Sequence, residues 1–396
     1  MEALEPSEPL RTTREASVPG GASGARTCST EKFMGGFLRD ETALQGYTDL
    51  SRVAVSLQDI ARRPLGHFGW EDRNMNRRDA VVAMLAAGAA GCARMSDPWR
   101  DQPGKPRILV TFPPLYSMAK LIAGETAAVK CLCVGTGPHH YSFNPRDLAL
   151  LSTADIFFSI GLTLDDHFVA KMLQSSQRGK ARFDALGDTV KARKLCLAGD
   201  SEHEQQHEAG HSHDHSHGDE DPHIWLGVPQ AVVMAERMAG QLAETCPENA
   251  AEYRNRAEEL AKRLKDFQRE ARAKMKEKNE RRLISFHGAL AYMADSFSLQ
   301  IAATMQINPG TEPSAARIAQ LAKLCKDERV RVLAVEPQYS TSSSARLLAE
   351  ALKRDGIEAR MIEIDPMETA EASSLDSGWY ERTMAANLKA LVDNLP

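Results

Sequence analysis

Cysteine is sparse: seven residues scattered over a 396-residue chain exclude a disulfide-stapled scaffold. Cys131 and Cys133 would share a face if they lie on a strand, and they read as small buried residues. A surplus of positive charge is also missing. The formal net charge of −5 offers nothing to attract nucleic acid. No G-x-x-x-x-G-K-[ST] phosphate loop is present, so any ATP-driven step has to be powered by another chain. The apolar run Ala80 to Ala90 falls short of the roughly 20 residues that cross a bilayer.

That run has a different use. Residues 1–74 are rich in Gly, Ser, Thr, Arg and Glu with little periodicity, and read as a disordered extension. "MNRRDAVVAMLAAGAAGC" follows at 75–92. Arg77 and Arg78 form a basic start, Ala80 to Ala90 an apolar core, and "AAG" a small-residue approach to Cys92. This resembles a bacterial lipoprotein signal with Cys92 as the lipidated residue. The paired arginines hint at twin-arginine export, although Asp79 departs from that pattern. Since a signal belongs at a chain's start, translation is expected to begin at Met75, with 1–74 a misassigned extension. The alternative is a short buried helix over 79–92.

The body alternates strand and helix. "RILVTF", "AAVKCLCV" and "DIFFSIG" are short apolar runs suited to buried parallel strands, each followed by a segment of helical spacing. One such segment, "NPRDLALLSTA", offers Asn144 as N-cap and Pro145 at the first helical position. The pattern restarts at 281 with "RRLISFH", "IAATMQI", "VRVLAVEP" and "EARMIEID", again separated by helices. One of these opens at Pro313, and another closes at Gly356. The fold class is therefore α/β: two similar lobes, each a parallel sheet flanked by helices. Residues 249–278 contain neither Gly nor Pro, and Tyr253, Ala257, Leu260, Leu264 and Phe267 form one apolar stripe. A helix of that length would run about 45 Å and could brace both lobes. The expected division is 93–235 for the N-terminal lobe, 236–280 for the connecting helix and 281–396 for the C-terminal lobe.

Open α/β sheets bind ligands beyond the carboxyl ends of their strands. His139 and His140 follow the second strand, His287 ends the first strand of the second lobe, and Asp365 ends its last strand. His223 follows the acidic, His-rich run. Imidazoles with a carboxylate suit zinc, and can accept manganese or ferrous iron.

"GTGPHHYSFNPRDLALLSTADIFFSIG" resembles a P-H-x-Y-x-x-x-P-x-D segment followed by an A-D strand; "DPHIWL" is similar to D-P-H-x-W-L, and "FHGALAYMADSFSL" to H-x-A-x-x-Y. "INPGTEPSAARIAQL", "VEPQYS" and "IDPM" follow in order. These motifs belong to the metal-binding lipoproteins of bacterial zinc and manganese ABC importers, and the chain from about 106 to 396 most resembles their zinc-binding member. The resemblance implies a two-lobed solute-binding protein, not an enzyme, with zinc in the cleft between the lobes. It implies export and a lipid tether in the periplasm or at the cell surface. It also implies a monomer served by a membrane permease and a separate ATPase. The ligands it implies are His139, His223, His287 and Asp365. His139 is preferred to His140 because Tyr141, Pro145 and Asp147 then align. The carboxylate position can be taken in the family by water or another acid. Gly137 stands where many relatives carry an acid, and Gly288 where Asp is common.

"HEQQHEAGHSHDHSHGDEDPHIW", residues 203–225, carries seven of the twelve histidines. His203, Glu204, His207, Gly210 and His213 match the H-E-x-x-H-x-x-G-x-x-H spacing of zinc proteases. Such a helix needs a packed face to hold its zinc rigidly, and the only apolar side chain between Gly199 and Pro222 is Ala209. The tract reads instead as a metal-collecting loop over 201–219. His203, His207, His211, His213, His215 and His217 would be accessory ligands there, with His223 alone belonging to the cleft. Such a loop is typical of zinc-type relatives.

Overall fold

The computed structural model describes residues 97–176, 181–194, 220–306, 311–339 and 343–396. The signal segment with Cys92 and the His-rich tract 201–219 lie outside them. No described helix is long and apolar enough to cross a membrane.

The first lobe is built from β1 (Arg107–Val110), α1 (Pro113–Ala123), β2 (Ala128–Cys131), α2 (Pro145–Ser152), β3 (Ile156–Ser159), α3 (Asp166–Ser175) and β4 (Arg182–Ala185). Its sheet runs β2-β1-β3-β4, all parallel. Ile156 to Ser159 are buried throughout, as expected of a parallel strand covered on both faces. β4 was absent from the sequence expectation. "RFDA" is an edge strand with two exposed residues, and Asp184 turns inward to pair with Arg237 at 2.8 Å, so no apolar run marks it. Asn144 and Asp147 form the capping box of α2, with Pro145 in its first turn.

Two helices follow, α4 (Val228–Thr245) and α5 (Ala250–Lys276). Residue 236, the expected lobe boundary, thus falls inside α4, and α5 is a separate helix begun after Pro247. At 27 residues α5 spans about 40 Å. Tyr253, Ala257, Leu260 and Leu264 of the stripe are buried, and Phe267 partly so. The helix touches both lobes. The Tyr253 hydroxyl meets Thr126 Oγ1 at 2.8 Å in the first. Phe267 packs edge-on to Phe297, centroids 5.6 Å apart, in the second.

The second lobe contains β5 (Arg282–Ser285), α6 (Ala291–Phe297), β6 (Gln300–Thr304), α7 (Ala315–Glu328), β7 (Val332–Val335), α8 (Ser343–Arg354), β8 (Arg360–Glu363) and α9 (Trp379–Asn394). Its parallel sheet runs β6-β5-β7-β8, the same order as the first. The N-cap of α7 is Ser314, whose hydroxyl accepts from Arg317 N, so Pro313 precedes the cap rather than opening the helix. Gly356 has φ +76°, the left-handed conformation that favours glycine after a helix. α9 reaches back to the first lobe: Tyr380 donates its N–H to Ser117 Oγ at 3.0 Å and its hydroxyl to Trp225 O at 2.6 Å.

Candidate metal site

Four segments deliver one side chain each to a single point between the lobes. His139 lies in the 3-10 turn Pro138–His140 beyond β2. Asp147 holds that loop: its Oδ2 accepts both the Tyr141 hydroxyl and the Asn144 N–H, each at 2.8 Å. The Tyr, Pro and Asp of the sequence motif are therefore the loop's fastening to the first turn of α2.

His223 is delivered by Asp221 and Pro222. Asp221 Oδ1 accepts the His223 N–H at 3.0 Å and lies 2.8 Å from Nδ1. With Nδ1 engaged by Asp221, Nε2 is the ring nitrogen on the side of Glu368, 3.7 Å from its Oε1. His287 lies two residues past the end of β5, and its Nδ1 meets Glu336 Oε1 just beyond β7. Glu336 Oε2 accepts from Gln338 Nε2 at 2.8 Å.

The fourth side chain corrects the sequence expectation. Asp365 does not join the histidines; its Oδ1 accepts Met367 N–H at 2.7 Å, and its backbone is clamped on both sides by Asn387 at 2.8 Å. The carboxylate that meets the imidazoles is Glu368. Met367 has φ +68°, a left-handed turn that a non-glycine residue adopts only when its surroundings impose it. That turn redirects the chain so that the acid three residues beyond Asp365 faces the cleft. The segment is stitched to the first lobe as well. Trp225 Nε1 donates to Pro366 O at 2.8 Å, and Ala370 N–H to Val134 O at 2.8 Å. Nothing in the local stretch "IDPME" distinguishes the two acids.

Glu368 Oε1 lies 3.4 Å from His139 Nε2, 3.7 Å from His223 Nε2 and 3.4 Å from His287 Nε2. All four donor atoms fall within 4.8 Å of one another. Tetrahedral zinc with bonds of about 2.0–2.1 Å holds its donors roughly 3.3 Å apart, so the carboxylate edges need almost no adjustment. None of the remaining edges exceeds 4.8 Å.

Burial makes the site's charges matter. His223, His287 and Glu368 are 1%, 3% and 6% exposed, so ionised groups there persist only with partners. Burial pushes Glu368 toward neutrality, but His139 and His287 outweigh it and hold the carboxyl well below its usual range. Burial likewise opposes charge on His287, yet Glu336 and Glu368 raise it from 6.5 to about 10. Asp365 is pushed up to about 6, chiefly by burial.

Gly137 gains a reason here. A Cβ at that position would sit 3.2 Å from Glu368 Oε2. The missing side chain leaves room for the carboxylate arriving from the other lobe.

Residues 195–219 lie outside the described residues, and the two strands of chain that flank them are joined. Lys194 and Glu220 form an antiparallel bridge, and Asp221 N–H donates to Arg193 O at 2.8 Å. Tyr292 secures this stem, accepting Arg193 N–H at 2.9 Å and donating to Asp221 O at 3.0 Å. His203, His207, His211, His213, His215 and His217 lie outside the described residues.

Known proteins resemble this chain in sequence and in fold. The zinc-binding lipoprotein AdcA of Streptococcus pneumoniae strain R6 is 27% identical over 291 residues, 73% of this chain and 55% of AdcA. The chain thus spans about half the length of that relative. The high-affinity zinc uptake system protein ZnuA of Bacillus subtilis is 27% identical over 320 residues, covering 80% of this chain and 96% of that protein. A solved Zn(II)-bound AdcAII variant of Streptococcus pneumoniae has the same fold, with a TM-score of 0.61 at 20% identity over 74% of this chain and all of that one. The family described as zinc-uptake complex component A, periplasmic, matches residues 108–394, and the chain belongs to that family.

Proposed function

We propose that this protein captures Zn2+ outside the cytoplasmic membrane and delivers it to an ABC importer. The convergence of His139, His223, His287 and Glu368 from both lobes carries the reading. A set of three imidazoles and one carboxylate suits a borderline cation, whereas manganese favours a larger share of oxygen donors. Four protein donors also complete a tetrahedron. Catalytic zinc usually keeps three protein ligands and an open position for water, so this arrangement favours binding over catalysis. The zinc-protease spacing at His203 to His213 finds no support in the family.

Zinc is the cargo. His139 arrives with the first lobe, His287 with the second and Glu368 on the segment stitched to both. An ion bound by all of them ties the lobes together, and its release calls for separating them. A permease docking on the two lobes, powered by a separate ATPase, would supply that motion. A lipid on Cys92 would keep the protein at the membrane surface.

Zinc titration of the full chain against a chelator of known affinity tests this reading. One tight site is expected in the wild type, with zinc well above manganese. His287→Ala and Glu368→Ala should each abolish it, leaving only the weaker ions that the His-rich tract holds. A tight site that survives both substitutions would place the functional metal elsewhere.

A further inference from the structure

Two buried carboxylates beside the site each grip a candidate ligand from behind. Asp221 Oδ1 lies 2.8 Å from His223 Nδ1, and Glu336 Oε1 contacts His287 Nδ1. Both are enclosed: Asp221 is 1% exposed and Glu336 4%. Each is held in turn. Asp221 also accepts the His223 N–H, while the second oxygen of Glu336 takes the Gln338 amide. Neither carboxylate can swing into the cleft without giving up these bonds.

We propose that Asp221 and Glu336 are positioning residues that set the metal preference of the site, by fixing two imidazoles with Nε2 toward the ion and by lending them negative charge. This rests on the reading of the cleft as the zinc site. The orientation effect is geometric, since an imidazole that donates from Nδ1 to a fixed acceptor presents Nε2 in one direction only. The charge effect is electronic. A cation on Nε2 polarises the Nδ1–H bond, and an anionic acceptor strengthens as it does so, which makes the ring a better donor to the metal. The gain is larger for zinc, which binds nitrogen strongly, than for manganese, which lies lower in the affinity series and leans on oxygen. The two residues thereby favour zinc over manganese without contacting either.

Glu336→Gln and Asp221→Asn separate charge from geometry, because each amide keeps an acceptor oxygen in nearly the same place. Zinc and manganese affinities are measured by chelator competition on the full chain, with His287→Ala as the background for ions held elsewhere. Cobalt(II) absorption reports whether the site remains tetrahedral. Competition from the His287 proton falls equally on both metals, so the readout is their ratio: each variant is expected to lower the zinc-to-manganese affinity ratio by about tenfold, with the tetrahedral cobalt bands retained. A zinc-to-manganese ratio unchanged in both variants would overturn the proposal. Collapse of the cobalt bands in both variants would make the carboxylates mere structural props and would overturn it too. A wild type that binds zinc no better than His287→Ala would instead sink the zinc-site reading beneath it.

Discussion

Zinc has to compete with a proton for His287. With Glu336 and Glu368 beside it, the buried imidazole holds its proton up to about pH 10 rather than 6.5. At pH 7 the metal-free site is therefore an imidazolium between carboxylates, with Glu368 firmly ionised. Zinc needs the Nε2 lone pair, so it must expel that proton. Three pH units below the midpoint, the expulsion costs about 4 kcal/mol, roughly a thousandfold in apparent affinity. The sign follows directly: the proton stabilises the empty site and weakens metal binding at every pH below about 10. Apparent zinc affinity should climb about tenfold per pH unit from this group alone, hence about a hundredfold between pH 7 and pH 9. The assay is chelator competition at several pH values, corrected for the chelator's own protonation, with proton release counted in weak buffer. About one proton per zinc from the tight site is expected near pH 8. An affinity flat from pH 7 to pH 9 with no proton released would refute the electrostatic description of His287.

Three further outcomes follow from the same contacts. Asp365→Ala removes the acceptor of the Met367 N–H and loosens the left-handed turn; it should weaken zinc by about tenfold, the scale of a supporting contact, whereas Glu368→Ala abolishes the tight site, and equal effects in a titration would restore Asp365 as a ligand. The metal-free fold should lose stability as pH rises from 6.5 toward 10, because the raised His287 value contributes stability only while its proton is held; melting curves across that range, with zinc-loaded protein as the control, would show no such decline if the ion pair were absent. Deleting residues 201–219 should leave the tight zinc site intact and remove only weak extra binding, since His223 stands on its own support from Asp221; loss of the tight site on deletion would place it in the tract itself.

Local chemistry alone marked most of the framework. Short apolar runs bounded by turns announced seven of the strands, and Asn144 followed by Pro145 announced a helix start that the capping box confirms. The stripe from Tyr253 to Phe267 announced the long helix. Histidines at strand carboxyl ends drew attention to positions 139 and 287, because such ends are where an α/β sheet leaves room for a ligand, and the end of the His-rich run drew attention to His223. Those signals sit within a few residues of one another, so a linear reading can find them. β4 gave no such signal, since an edge strand with an inward Asp184 has no apolar run to see.

The choice between Asp365 and Glu368 was out of reach for the same reason in reverse. It depends on a left-handed turn at Met367, and that turn is imposed from afar by Asn387 in α9, by Trp225 in the first lobe and by Val134 beyond β2. The contact of Glu336 with His287, and the space that Gly137 leaves for Glu368, likewise exist only once distant segments share one cleft. Chain order dictates which residue types stand at the ends of which elements. The tertiary structure decided which of their donor atoms meet, because distances of 3 to 4 Å between the lobes are set by packing and not by any local preference.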